Sequence, residues 1–362
     1  MEPAKPLPPI SGRGAPGNPR PTRTGSLDRE LDGDWLDTAE LIDGAAPPLR
    51  TTVTVEHPKT IIARNTSPDI GFDRSINPYR GCEHGCIYCY ARPTHAFHDL
   101  SPGLDFESRL FAKPDAARLL RAELAKRGYA PAPLAIGTNT DGYQPIEREW
   151  GITRSVIAVL AETRHPLLIT TKSDRLLRDI DLLAAMARDN LVGVAISVTT
   201  LDPGLARTLE PRAPHPKRRL AAIRKLIDAG VPTQVNISPV IPAITDHEIE
   251  AIMAAAAEAG AIRASYILMR LPYEVAPLFR AWLAAHYPDR ADKVMHMVQD
   301  IRGGRDNDAG FFTRMKGQGV WAQLIRTRVK RAAREHGMDR SFPPLRSDLF
   351  RPPERDGQME LF

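Results

Sequence analysis

The chain has 362 residues, 42% hydrophobic and 26% charged, with a net charge of +5. No apolar run approaches the roughly 18 residues that cross a bilayer, and the N-terminal MEPAKPLPPISGRGAPG has no apolar signal core. A membrane protein and a secreted disulfide scaffold are both disfavoured, the cytosol is the expected compartment, and the mild basicity admits nucleic acid as a partner without selecting it.

Residues 1–50 are rich in Pro, Gly and Arg without apolar periodicity and are expected to form a disordered N-terminal tail. Residues 51–270 then develop a rhythm. APLAIGT, HPLLITT, LVGVAISV, TQVNISPV and RASYILM are apolar runs of strand length. Between them, EREWGITRSVIAVLAETR, DRLLRDIDLLAAMARD, KRRLAAIRKLIDAG and DHEIEAIMAAAAEAG carry helical spacing, the third closed by Gly230. A sixth, short strand is expected at SINPYRG. Strands without polar alternation are buried on both faces, as in a parallel sheet sheathed by helices. About six such units fall short of a closed eight-fold barrel, and a partial, open barrel and a doubly wound sheet both fit the pattern. A helical extension over 271–340 and a flexible tail over 341–362 complete the domain plan.

In either architecture chemistry gathers at the C-terminal strand ends. Thr138, Asn139, Thr140 and Asp141 follow one strand, and Thr171 and Lys172 the next. Ser197 and Thr199 end a third, Asn236 and Ser238 a fourth. One such group would cap a turn; four in register line a pocket.

All three cysteines lie in GCEHGCIYCY, as Cys82, Cys86 and Cys89 in the spacing C-x3-C-x2-C. An odd number crowded into one loop is no disulfide framework and fits thiols kept for a metal. Structural zinc takes four protein ligands, the fourth here being His84, His95 or His98. A 4Fe–4S cluster normally takes four thiolates, and three would leave one iron open to a cosubstrate. Spacing alone leaves open an enzyme and a non-enzymatic zinc or Fe–S module.

The loop and its place before a βα series resemble the radical SAM superfamily. That resemblance implies a 4Fe–4S cluster on Cys82, Cys86 and Cys89, whose open iron chelates S-adenosylmethionine (SAM). It also implies reductive cleavage of SAM to a 5′-deoxyadenosyl radical, an electron donor of flavodoxin or ferredoxin type, and the partial (β/α)6 barrel. The finer form C-x3-C-x-Y-C-Y resembles the branch that includes spore photoproduct lyase and DNA repair photolyase-like proteins. It implies that Tyr88 and Tyr90 lie against cluster and SAM. GTNTDGYQPIE is similar to a TDPYQPxE element of that branch, giving Thr140, Asp141, Gln144 and Glu147, with Thr140 at a SAM-contacting serine. ITTKS gives Lys172 as the partner of the SAM carboxylate, SVTT gives Ser197 as a SAM contact, and EPRAP gives Arg212 facing SAM or substrate. One departure stands out. The branch's hydrogen-returning cysteine falls at Thr138, and a hydroxyl O–H is too strong to replace a thiol, so lesion reversal by that route is not expected.

Arg326, Arg328, Lys330, Arg331 and Arg334 give the C-terminal helix a basic face, for phosphates or for water. RGGRDNDAGFFTRMKGQG lacks a P-loop pattern and is expected to form a flexible cover over the pocket. The final QMELF resembles the peptide that docks in the bacterial sliding clamp, Gln358 supplying hydrogen bonds and Met359, Leu361 and Phe362 entering apolar pockets. The expected substrate is DNA, in a repair context, with a small molecule or a peptide as the alternative.

Overall fold

The computed structural model describes residues 10, 12–21 and 49–353. Its strands are β1 (Thr52–Val55), β2 (Ile62–Arg64), β3 (Arg74–Ile76), β4 (Tyr79–Arg80), β5 (Arg109–Ala112), β6 (Leu134–Ile136), β7 (Leu167–Thr171), β8 (Val192–Ser197), β9 (Thr233–Val240) and β10 (Arg263–Leu268). The helices are α1 (Leu104–Ser108), α2 (Ala116–Leu124), α3 (Glu147–Trp150), α4 (Ile152–Glu162), α5 (Ile180–Ala187), α6 (Pro203–Leu209), α7 (Pro216–Asp228), α8 (Ile249–Glu258), α9 (Val275–His286), α10 (Ala291–Asp300) and α11 (Gly319–Glu335). No helix among the described residues is long and apolar enough to cross a membrane.

The main sheet runs β10-β9-β8-β7-β6-β3-β2. Strands β3, β6, β7, β8, β9 and β10 are parallel, and β2 joins the β3 edge antiparallel. Each parallel strand lies beside its successor. A doubly wound sheet would reverse its order at a switch point, so this sequential order is that of a partial (β/α)6 barrel. The sixth parallel strand, β3, falls at the start of the SINPYRG region. Every residue of β8 is buried, as its unbroken apolar run implies. Ile136, Ile169, Val194, Ile196 and Val235 join Val156, Leu160, Leu183, Ile223 and Ile252 from the surrounding helices in one core. Local signals set the helix ends. Pro216 opens α7, His215 accepts the Lys217 amide at 3.2 Å, and Gly230 follows the helix at φ 79°.

A small sheet, β1-β5-β4, stands beside the barrel and carries the chain into the cysteine loop. Helices α9 and α10 form a second core with Trp282, Phe279, Val294 and Met295, packed onto Ile241, Leu209 and Ile87.

Two expected tails are corrected where the structure describes them. Residues 12–21 are not a free tail: Arg13, Gly14 and Ala15 are buried. Residues 341–353 cross the N-terminal ends of the strands. Phe342 covers Gly193, where a Cβ would meet its ring at 2.1 Å, and Phe350 packs on Tyr129 and His165. Two aromatic anchors on a Pro-rich stretch explain why it packs although it lacks periodicity. Gln358, Met359, Leu361 and Phe362 lie outside the described residues.

Candidate active site

Strand β4 delivers the chain to Gly81 and the cysteine loop. Gly81 (φ 72°) and Gly85 (φ 66°) have left-handed backbones in crowded places: a Cβ would meet Phe106 O at 2.8 Å and Glu107 Oε2 at 2.8 Å. Backbone bonds fix the loop, Cys82 N–H to Phe106 O at 2.9 Å and Ile87 N–H to Leu209 O at 3.0 Å. Arg92, with no solvent exposure, donates to Cys86 O at 2.9 Å and Gly85 O at 3.1 Å and pairs with Glu107 at 2.5 Å.

Cys82, Cys86 and Cys89 line a cavity of about 300 Å³ at the C-terminal strand ends. Thr138, Asn139, Thr140 and Asp141 line it after β6, Thr171 and Lys172 at β7, Ser197 at β8, and Asn236 and Ser238 in β9. The four strand-end groups therefore meet in one place. Thr199 stands behind that wall, donating to Glu210 Oε1 at 2.7 Å.

The TDGYQPIE element grips the cysteine loop. The Thr140 hydroxyl donates to Tyr79 O at 3.0 Å. Gln144 accepts the Glu83 amide at 2.8 Å and donates to Gly81 O at 3.1 Å, holding both neighbours of Cys82. Glu147 accepts the Tyr79 hydroxyl, and Arg178 pairs with it at 2.6 Å. Asp141 accepts Thr171 Oγ1 at 2.7 Å and the Lys172 amide at 2.8 Å, with His84 Nδ1 at 3.4 Å. Burial pushes the Asp141 carboxyl up, but His84 and these donors outweigh it and bring it down to about 2. Thr140 and Asp141, read from resemblance as SAM-binding, thus also spend hydrogen bonds on Tyr79, Thr171 and the Lys172 amide.

Behind Lys172 lies a buried charge network that sequence reasoning missed. Glu210 pairs with Arg219 and accepts the hydroxyls of Tyr88 and Thr199. Burial raises the Glu210 carboxyl, but Arg219 and then Lys172 bring it down to about 2. The Lys172 ammonium stands 5.7 Å over the Tyr88 ring. Burial works against its charge, yet Cys86 and Glu210 hold its pKa above the ordinary value. Glu210 stood in the EPRAP stretch, and an acid closing the apolar helix α6 was the available signal. Arg212, expected to face SAM or substrate, is placed elsewhere: it does not line the cavity, and its guanidinium pairs with Glu83 at 2.9 Å on the loop's far side. Tyr90 is exposed at the mouth, its hydroxyl donating to Thr138 O and its ring 4.7 Å beneath the Arg270 guanidinium.

The 302–319 segment reaches the cavity through Met315 and is fastened. Met315 lines the cavity, and its carbonyl accepts the Leu268 amide at 3.0 Å. Buried Arg302 donates to Leu268 O and Met269 O at the end of β10 and to Thr313 O and Arg314 O in the segment. Arg314 pairs with Asp69 at 2.5 Å. On α11, Arg328 pairs with Glu250 and Arg331 with Glu335, which neutralises part of the expected basic face.

The donor set suits an iron–sulfur cluster. Burial pushes the Cys86 thiol up to about 12 against the pull of Lys172, and burial and Asp141 push Cys82 well above the ordinary value. Cluster ligation takes the thiolate form, so assembly releases protons. Among the described residues no three His, Cys, Asp or Glu side chains are gathered closely enough to enclose one metal ion. Cluster ligands attach to separate irons and need no such common centre. Of the histidines considered for zinc, His84 pairs with Asp141, His95 Nε2 lies 2.9 Å from Arg109 O, and neither His95 nor His98 lines the cavity.

Comparison with known proteins agrees with this geometry. The chain is 37% identical over 230 residues to an uncharacterized protein of Mycobacterium tuberculosis, covering 63% of this chain and 68% of that protein. It is 29% identical over 173 residues to one of Methanocaldococcus jannaschii, covering 48% and 62%. The structure is similar to a mutant of spore photoproduct lyase (TM-score 0.57, 15% identity, 87% of this chain and 85% of that one). It is also similar to spore photoproduct lyase complexed with dinucleoside spore photoproduct (TM-score 0.56, 16% identity, 79% of each chain). At such identity the likeness is one of fold. The Radical SAM superfamily matches residues 76–256, from the end of β3 into α8, and the chain therefore belongs to that superfamily of enzymes, whose cofactors are a 4Fe–4S cluster and S-adenosylmethionine.

Proposed function

We propose that the cavity is the active site of a radical SAM enzyme acting on nucleic acid, with Cys82, Cys86 and Cys89 as the cluster ligands. A 4Fe–4S cluster held there would supply reductive cleavage of SAM, and through it radical hydrogen abstraction from a substrate lodged in the cavity. Lys172 offers its ammonium to the SAM carboxylate, a role suited to a mobile cation held charged by its neighbours. Ser197 contacts SAM from β8. Tyr88, immobilised through its hydroxyl, presents its ring face beside that ammonium. Thr140 and Asp141 line the cavity while bracing the loop.

The observation that carries the substrate class is the cavity mouth. Arg270 lines the cavity and forms no ion pair among the described residues. Phe311 and Phe312 are 51% and 64% exposed on the segment whose Met315 lines the cavity, the Phe311 ring lying 5.0 Å beneath the Arg314 guanidinium. A guanidinium fork matches phosphate, and exposed aromatic faces match unpaired bases. The dinucleoside bound by the spore photoproduct lyase neighbour supports the same reading. Because Thr138 lines the cavity and no cysteine lies outside the loop, thiol-dependent lesion reversal is not proposed.

The test is fluorescence anisotropy with a labelled single-stranded oligonucleotide at several salt concentrations. Binding should weaken with salt. It should fall by about fivefold or more in Phe311→Ala/Phe312→Ala, the lower bound for one lost stacking contact, and also in Arg270→Gln. Equal, salt-insensitive binding in all three proteins refutes nucleic acid as the substrate. We further propose a flavodoxin- or ferredoxin-type electron donor, the cytosol as compartment, and clamp docking through Gln358, Met359, Leu361 and Phe362. Deleting Leu361 and Phe362 should abolish clamp binding.

A further inference from the structure

Residues 12–19 lie outside the segment that matches the superfamily, yet they pack directly on the cysteine loop. Gly14 sits so close to Gly85, the residue before Cys86, that a Cβ on Gly14 would stand 1.8 Å from the Gly85 carbonyl oxygen. Glu107, on α1 and fully buried, holds the segment by accepting the Gly14 amide at 2.9 Å and the Ala15 amide at 2.8 Å. The same carboxylate pairs with Arg92, which in turn holds the carbonyls of Gly85 and Cys86. Arg13 donates to Glu107 O at 2.7 Å and Leu49 O at 2.6 Å. Further along, Gly17 O accepts the Leu104 amide at 3.2 Å, and Pro19 O accepts the Ser101 hydroxyl at 2.7 Å. The segment and the loop thus share one anchor, Glu107, and one contact surface with no room for a side chain.

We propose that residues 12–19 are a strap of the cluster site. It closes the outer face of the cysteine loop, fixes the loop's conformation and excludes water from behind Cys86. In this way it lowers the reduction potential of the cluster and slows cluster loss in air. The proposal rests on the reading of the three cysteines as cluster ligands. Cluster potential follows solvent exposure, hydrogen bonding and net charge. The reduced cluster carries the extra negative charge, which water stabilises, so excluding water disfavours reduction. A loop held shut also opens less often to oxygen, because local opening is governed by the bonds that close it. The composition that reads as a tail is the one a strap needs: Gly14 allows backbone contact with Gly85, Gly17 O packs against Gly103, and Pro16 and Pro19 stiffen the run.

The test uses the full-length chain. Gly14→Val places a side chain where the Gly85 carbonyl stands and expels the strap. Arg13→Ala cuts the guanidinium ties to Glu107 and Leu49 without adding bulk. After anaerobic reconstitution, the midpoint potential is measured by EPR-monitored titration and cluster loss in air by the decay of visible absorbance. Hydrogen–deuterium exchange of residues 82–89 is measured on the cluster-free chain. Both variants should show a more positive midpoint potential, cluster loss about tenfold faster, as for one lost charge-assisted hydrogen bond, and faster exchange over 82–89. Exchange in β7, β8 and β9 should not change. Wild-type values in both variants overturn the strap, and if Gly14→Val does not fold, Arg13→Ala decides alone. If the wild type binds a cluster and its EPR spectrum responds to SAM while the variants match it, the strap alone falls. If the wild type binds no cluster, the reading beneath the strap falls with it.

Discussion

Arg219→Met tests the buried network behind Lys172. Arg219 is 1% exposed, donates to Pro214 O at 2.8 Å and Ser197 O at 3.2 Å, and pairs with Glu210. Removing one partner of a buried pair leaves the other charge uncompensated, at a cost of about 3–5 kcal/mol. The double variant Arg219→Met/Glu210→Met should lose less than the sum of the single variants by about 2 kcal/mol, because no lone charge remains. The pH dependence gives a second readout. The Glu210 carboxyl lies at about 2 in the folded chain against an ordinary value of 4.5. Its contribution is therefore fully present above pH 4.5 and lost as pH falls toward 2, about 3 kcal/mol at ~1.36 per unit. In Arg219→Met the folded value rises toward the unfolded one, so this acid step should shrink. Urea denaturation of the cluster-free chain between pH 7 and pH 3 measures both effects. A loss under about 1 kcal/mol, with an unchanged acid step, would refute the idea that this pair organises the wall behind the cavity.

The remaining predictions concern the loop and its surroundings. Cys86→Ala should abolish the cluster, read as iron content and visible absorbance, and with it all SAM cleavage. Lys172→Ala should leave the cluster intact and weaken SAM binding by about tenfold or more, the worth of a hydrogen bond to a charged group; calorimetric affinities equal to wild type would remove Lys172 from the SAM site. Gln144→Ala strips partners from the Glu83 amide and the Gly81 carbonyl, each a loss of about 1–3 kcal/mol. It should lower cluster occupancy after reconstitution while the secondary structure measured by circular dichroism is kept.

The barrel and the cysteine loop were legible because both are written in side chains at regular or close spacing. Apolar runs such as LVGVAISV announce a strand buried on both faces, and the polar residues that follow them converge because parallel strands end on one side. Three thiols in one loop speak for themselves. The strap and the packing of residues 341–353 were hidden for the opposite reason. Gly14 and Gly17 act through backbone contact, which leaves no periodic trace, and Phe342 and Phe350 are two isolated aromatics in a Pro-rich run. Resemblance located the TDGYQPIE element and assigned its Thr140 and Asp141 to SAM. Its job of gripping residues 79–84 depends on which carbonyls and amides lie within reach, and only the folded arrangement reveals that. Arg212 and Glu210 sit two residues apart, one on Glu83 and the other beneath Tyr88, a choice set by the turn after α6.

The most direct test of the central claim is anaerobic. The cluster is reconstituted and reduced with dithionite, SAM is added, and the products are separated by chromatography. The account predicts 5′-deoxyadenosine from the wild type and none from Cys86→Ala. An intact, reduced cluster that yields no 5′-deoxyadenosine with or without oligonucleotide, and whose EPR spectrum does not respond to SAM, would contradict it.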